Sequence, residues 1–244
     1  MQLIIDIGNT LIKYYVFERD IIVDSYNEKL ENWSLSLQKI KKEFPNLERA
    51  MISDVNGSFI NELQEALVPL PFVNCSIELK LPFKTQYNPP KQLGQDRIAL
   101  LAACQLLYPH KNVLVIDIGS CITYDLLDQN GIHQGGAISP GYSMRYKSMN
   151  DYSGKLPSLQ PQKEENDLVG TSTEAAMHSG VYNGIFFELQ GIITVYQSQH
   201  EHLTVILTGG DAQMLSKPLK NSIFAHSNFL AKGLNYILAL NQIS

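Results

Sequence analysis

Leu3-Ile4-Ile5 and Leu114-Val115-Ile116 are unbroken apolar triplets, each followed by Asp-Ile-Gly, a small polar residue and a second apolar stretch. A short β-branched run of this kind predicts a buried strand, and the Gly that ends it supplies the dihedrals of a tight turn. Each copy therefore predicts a strand, a turn and a returning strand. The copies stand 111 residues apart, with Leu3 to Ile12 over Leu114 to Thr123 and Asp6 over Asp117. The match extends to both sides of the Gly, which predicts a duplicated unit and two related halves.

Between the copies the period changes from two to three or four. Leu30, Trp33, Leu37, Ile40 and Phe44 predict a helix over 30–44, and Met51 to Val55 a short strand. Phe59, Ile60, Leu63 and Leu67 predict another helix, and 72–79 an extended segment. Tyr87-Asn88-Pro89-Pro90 is a loop, because paired prolines neither continue a helix nor sit in a central strand. A helix is expected over 95–107, with the second strand pair starting near Asn112. Gly131, Gly135-Gly136 and Pro140-Gly141 then punctuate the chain, and a polar stretch runs to about 168. A long helix over 173–196, a strand over 203–208 and a last helix over 228–241 complete the pattern. The alternation predicts an α/β protein of two domains, 1–110 and 111–244.

Composition narrows the class. Of 244 residues 44% are apolar and 18% charged, enough for a sizeable core, and 19 basic against 24 acidic residues leave a net charge of −5. A mildly acidic chain without a basic patch argues against nucleic-acid or anionic-membrane binding. No stretch reaches the roughly 20 apolar residues of a membrane helix, and Met1 to Asp6 lacks the basic start of a signal peptide. Cys75, Cys104 and Cys121 form no CxxC pair, fitting reduced thiols in a cytoplasmic protein better than disulfides or zinc.

A carboxylate at the end of a buried strand, followed by a Gly turn, suits work on metal and phosphate. The carboxylate can hold Mg²⁺, and turn N–H groups can face phosphate oxygens. Asp6 with Gly8, Asn9, Thr10 and Lys13 is one such unit, and Asp117 with Gly119 and Ser120 the other. Thr208-Gly209-Gly210 is a third strand end that lets backbone approach a flat ligand closely. Gly94-Gln95-Asp96-Arg97 opens a helix; next to a phosphate clamp, its charges are candidates for a general base and an anion-binding arginine. There is no G-x-x-x-x-G-K-[ST], G-x-G-x-x-G or H-E-x-x-H motif, and His178 reads as a helix-face residue.

In order and spacing, Asp6-Ile-Gly-Asn-Thr, Tyr87-Asn-Pro, Gly94-Gln-Asp96-Arg97, Asp117-Ile-Gly-Ser120, Gly135-Gly136, Pro140-Gly141, Gly170-Thr-Ser-Thr173 and Thr208-Gly-Gly resemble the type III pantothenate kinases of bacterial coenzyme A synthesis. The resemblance implies two duplicated actin/Hsp70-like (ribonuclease H-like) domains with mixed five-stranded sheets and a nucleotide cleft between them. It implies ATP as phosphoryl donor and pantothenate as acceptor. The ATP loop would be Asp6, Ile7, Gly8, Asn9, Thr10, Leu11, Ile12 and Lys13, with Asp6 near Mg²⁺ and Ser120 also touching ATP. Asp96 would accept the proton of the pantothenate hydroxyl. Tyr87, Gly94, Gln95, Asp96, Arg97 and Thr173 would line the pantothenate site, and Asp117 would bind a monovalent cation, K⁺ or NH₄⁺. A homodimer is implied as well.

Three positions depart from the family pattern. Ser120-Cys121 replaces the usual Thr-Ala, Leu100 stands where Asn is usual, and Ser172 replaces the Asn of Gly-x-Asn-Thr. None removes an acid–base group, so an active pantothenate kinase is expected. A catalytically silent nucleotide-binding regulator and a kinase for another small alcohol are the alternatives.

Overall fold

The computed structural model describes residues 1–55, 57, 60–162, 167–212, 223–224 and 228–241. The chain packs as two compact units, one of Met1–Pro109, Gly131–His133 and Asn228–Ser244, the other of His110–Asn130 and Gln134–Ser227. The sequence division at 110 and 111 left the last helix with the second half; its packing is with the first.

In the first unit, β1 (Gln2–Ile7), β2 (Leu11–Glu18), β3 (Ile21–Lys29), β4 (Arg49–Asp54) and β5 (Phe72–Asn74) form a sheet ordered β3-β2-β1-β4-β5. β1 runs antiparallel to β2 and parallel to β4. Alternation along the strands sorts the side chains. Leu3, Ile5 and Ile7 join Ile12, Tyr14, Ala50 and Ile52 in one apolar cluster. Leu37 of α1 (Trp33–Glu43) and Leu63 of α2 (Ile60–Leu67) cover it. The alternate residues, Asp6 among them, face the other way, toward α3 (Gln95–Leu107) and α6 (Phe229–Leu240), both of which pack against β4. Phe59, expected in α2, lies outside the described residues.

The second unit repeats this order. Its strands are β7 (Val113–Ile118), β8 (Cys121–Leu127), β9 (Ile132–Pro140), β10 (Thr204–Thr208) and β11 (Ile223–Phe224), ordered β11-β10-β7-β8-β9. β9 starts in the first unit, where Ile132 and His133 pair with the two-residue β6 (Lys84–Thr85). β7 runs antiparallel to β8 and parallel to β10, as β1 does to β2 and β4. Leu114, Ile116 and Ile118 pack with Tyr142 and Tyr146 of α4 (Tyr142–Tyr152) and Ile185 and Leu189 of α5 (Thr173–Gln199). The duplication is therefore real in topology, with one correction. Ile7 pairs with Ile12 but Ile118 pairs with Ile122, so the second turn is one residue shorter. Past the Gly, Ile12 answers to Ile122 rather than to Thr123.

Candidate active site

Asp6 lies opposite Lys13 on β2 and Ser53 on β4, so one carboxylate, one amine and one hydroxyl meet on the sheet face turned to α3. Asp6 is 9% exposed, and its pKa is pushed up to about 6. Burial is the main cause; the positive charge of Lys13 and the Ser53 hydroxyl pull down, and the negative charge of Asp96 pushes up. Asp96 therefore stands within electrostatic reach of Asp6, although 90 residues separate them.

Gly94 caps α3, and Asp96 sits in its first turn with Oδ1 accepting from the Arg97 N–H at 2.8 Å. A Cβ on Gly94 would stand 2.5 Å from that oxygen, so glycine leaves the carboxylate its place. The Gln95 Oε1 accepts from the Asp54 N–H at 2.8 Å, tying the start of α3 to the end of β4. Arg97 is 4% exposed, and its guanidinium carbon lies 4.9 Å from the centre of the Tyr87 ring. Tyr87 and Arg97, expected in one substrate site, are thus in contact. Cys75 is buried beside the two carboxylates; burial first, then Asp96 and Asp6, push its thiol up to about 12, which leaves it protonated and unreactive.

In the first turn, the Gly8 N–H donates to Leu11 O at 3.0 Å, and Asn9, Thr10 and Leu11 are exposed. Ile7 and Ile12 belong to the apolar cluster on the opposite face, so a ligand here meets Asn9, Thr10 and Lys13 rather than those side chains.

In the second unit Asp117 faces Thr123 across β7 and β8 and Thr208 across β7 and β10. Gly209, at φ +102°, follows β10; a Cβ there would collide with Asp117 Oδ1 and the Ile118 backbone. Gly141 lies equally close on the turn, its N–H donating to Ser120 O at 3.1 Å. The Thr-Gly-Gly and Pro-Gly motifs are thus the walls of the Asp117 turn. The Thr123 Oγ1 is buried without a hydrogen-bond partner among the described residues, and a carboxylate with such a hydroxyl is an oxygen donor set that fits a hard cation. Ser120 is exposed at the turn tip.

Thr173 begins α5 and is exposed, and Ser172 caps that helix, its Oγ accepting from the Ala175 N–H at 3.1 Å. Serine thus does the capping work of an asparagine. Leu100 is buried within α3. His178 pairs through Nδ1 with the Tyr146 hydroxyl at 2.8 Å, as a helix-face residue would. Ser53, Cys75 and His133 were missed in the sequence. Ser53 could have been found: it takes the place on β4 that Thr208 takes on β10.

Among known proteins, the model of the type III pantothenate kinase family matches residues 2–195. The type III pantothenate kinase of Christiangramia forsetii is 45% identical, with 99% of each chain covered. That of Flavobacterium johnsoniae is 41% identical, with 96% of each covered. A crystal structure of a conserved protein of the Baf transcriptional-activator family from Campylobacter jejuni superposes with TM-score 0.64 at 25% identity, covering 98% of both chains. The ADPNP-bound activator of 2-hydroxyisocaproyl-CoA dehydratase from Clostridium difficile superposes with TM-score 0.54 at 14% identity, over 98% of this chain and 93% of that one, a likeness of fold. The Asp-Ile-Gly turns, the Gly94–Arg97 helix start and full-length relatives at this identity have one reading: the chain belongs to the type III pantothenate kinase family.

Proposed function

We propose that this chain transfers the γ-phosphoryl group of ATP to the primary hydroxyl of pantothenate, giving 4′-phosphopantothenate and ADP, the entry step to coenzyme A. The observation that carries the reading is the meeting of Asp6, Asp96, Arg97 and Tyr87, four expected site residues, in one unit. Asp96 takes the hydroxyl proton as the oxygen attacks the γ-phosphorus; the bond to the β,γ-bridging oxygen breaks and ADP leaves. Such transfer rests mainly on positioning and charge neutralisation. Arg97, backed by the Tyr87 ring, is placed to hold the acceptor carboxylate. Within the first unit, Asn9, Thr10 and Lys13 contact the ATP phosphates; in the second, the exposed Ser120 hydroxyl is the one the family resemblance assigns to ATP.

Among the described residues no group of three or more His, Cys, Asp or Glu could enclose a metal. One buried carboxylate beside the ATP loop fits Mg²⁺, which takes one or two carboxylates and completes its shell with phosphate and water. When bound, Mg²⁺ neutralises phosphate charge; Asp6 would hold it. Asp117, with Thr123, would hold K⁺ or NH₄⁺. In the second unit, the exposed Thr173 hydroxyl is the one the family resemblance assigns to pantothenate. Ser120 keeps an exposed hydroxyl and Ser172 caps α5, which speaks against a silent regulator, while nothing in the structure explains Leu100.

The working form is a homodimer in the cytoplasm. One face of α5 supports the dimer: Ala176, Gly180, Gly184, Phe187, Gly191 and Val195 recur at helical spacing, all exposed and uncharged, with Phe187 and Val195 each 53% exposed. Glycine in an exposed helix costs about 1 kcal/mol relative to alanine, a cost that close packing of a second backbone would offset. No helix of the described residues is long and apolar enough to cross a membrane.

The test is ADP release from purified protein with Mg-ATP against a panel of acceptors, with K⁺ replaced by Na⁺ in a parallel series. Release that needs pantothenate, yields a product one phosphoryl group heavier and falls in Na⁺ is the expected result. Release with another alcohol alone would replace the acceptor, and equal rates in both salts would remove the cation from Asp117.

A further inference from the structure

We propose that His133, which no sequence motif singled out, is a positioning residue for the acceptor site: it holds Tyr87, and through Tyr87 the guanidinium of Arg97. The inference rests on the pantothenate reading for its substrate, but its geometry lies wholly within the first unit.

His133 is the second residue of β9 and is 0% exposed. Its backbone carbonyl accepts from the Gln86 N–H at 2.9 Å, as part of the parallel pairing of Thr85 with His133. The backbone alone would thus keep the short strand β6 in place. The side chain adds something else. Its Nδ1 lies 2.8 Å from the Thr85 hydroxyl oxygen, and that same oxygen accepts from the Tyr87 N–H at 3.0 Å. A hydroxyl engaged as acceptor by Tyr87 still has its own proton to give to Nδ1, so the three groups form a relay from ring to hydroxyl to the Tyr87 backbone.

The ring makes a second connection. The imidazole and the Tyr87 ring are stacked, centroids 6.1 Å apart and 14° between planes, and the Arg97 guanidinium carbon lies 4.9 Å from the centre of that same Tyr87 ring. Tyr87 is therefore fixed at its backbone by Thr85 and at its ring by His133. It precedes Asn88-Pro89-Pro90, a segment with few backbone donors of its own, so without these two anchors little else aims the ring. A guanidinium on an aromatic face is directional, and a tilt of the ring moves the charge that meets an acceptor carboxylate. His133 acts through Tyr87 and takes no part in proton transfer.

The test uses the full-length protein with His133→Leu, His133→Asn, Thr85→Val and Tyr87→Leu. The first readout needs no substrate: the Arg97 Nε–H proton, lying against an aromatic face, carries a ring-current shift in NMR, which Tyr87→Leu abolishes. His133→Leu should move that resonance most of the way to its Tyr87→Leu position. His133→Asn, whose amide can replace Nδ1 toward Thr85 but which has no ring to stack, should fall between. The second readout is kinetic. His133→Leu should raise the KM for pantothenate about tenfold, the combined effect of a lost hydrogen bond and a lost aromatic contact, with kcat and the KM for ATP within about threefold of wild type. Thr85→Val should do the same to a smaller degree and decides the matter if His133→Leu does not fold. An Arg97 resonance unmoved in the folded variants, or a fall in kcat with unchanged KM for pantothenate, overturns the proposal. Wild-type protein that ignores pantothenate would overturn the acceptor reading instead, and the Arg97 resonance would still decide the role of His133.

Discussion

Asp6 is a carboxylate kept where a carboxylate is costly. Its pKa of about 6, raised from the ordinary 3.8 of an aspartate, means that between roughly pH 4 and 6 the folded state holds a proton the unfolded state has lost. Stability of the free protein therefore falls as pH rises through that window, and the full cost is present above about pH 6. A rise of that size corresponds to about 3 kcal/mol, an upper figure because a neutral Asn also gives up the attraction of the Lys13 charge. Asp6→Asn should raise the unfolding free energy by about 1–3 kcal/mol at pH 7.5 in urea, with no gain at pH 4, and should abolish ATP turnover. An Asp6→Asn protein less stable than wild type at pH 7.5 would show that the burial penalty is compensated in the free protein. At this scale Asp-Ile-Gly and Gly-Gln-Asp-Arg each marked out its own residues in the sequence. Neither motif signalled that Asp6 and Asp96 lie within electrostatic reach of each other, because that proximity comes from the sheet face that Asp6 occupies. His133 carried no signal at all, since one His before two glycines has no periodic partner.

Helices α3 and α6 pack so closely that a Cβ on Gly233 would run into the Ala99 carbonyl and within 3.0 Å of the Ala103 nitrogen. Gly180 on α5 has nothing within 4 Å of its Cβ position. The same substitution should thus have opposite signs in two helices. Gly233→Ala forces backbone apart and should cost about 2–3 kcal/mol, whereas Gly180→Ala gains helix propensity of up to about 1 kcal/mol in the monomer. Thermal unfolding of both variants at low protein concentration checks the contrast, and equal shifts of one sign would contradict it. Elements with strong periodicity were readable: α3 and α6 fall within a residue of expectation, and α5 runs three residues further. Five were not read. β3 buries no residue and β9 only His133, α4 buries only Tyr142 and Tyr146 in an otherwise polar run, and the two-residue β6 and β11 are too short to show a period. The expected strand over 72–79 stops at Asn74, where Cys75 turns in toward the site.

The duplicated Asp-Ile-Gly hairpins foretold two sheets of one topology, and five strands of each follow the same order, the short β6 adding a sixth to the second sheet. They did not foretell that α6 packs with the first unit, because the last helix carries no mark of which sheet it will cover. The uncharged face of α5 gives the assembly prediction. Gly184→Arg places a charge on a face that packs another copy, so sedimentation should show the dimer of the wild type reduced to monomer while circular dichroism is unchanged. A wild-type protein that sediments as a monomer, or a variant that stays dimeric, would leave that face without its partner.

The central claim is that Asp96 takes the acceptor proton in a pantothenate-dependent transfer. The most direct measurement is pantothenate-dependent ADP release by wild type and by Asp96→Asn, with ATP binding followed by calorimetry on the same samples. General-base removal of this kind typically costs about 10²–10⁴ in rate. A loss of kcat in that range with ATP affinity within about threefold of wild type is the predicted result. Turnover by Asp96→Asn near that of wild type would contradict it and place the proton acceptor elsewhere.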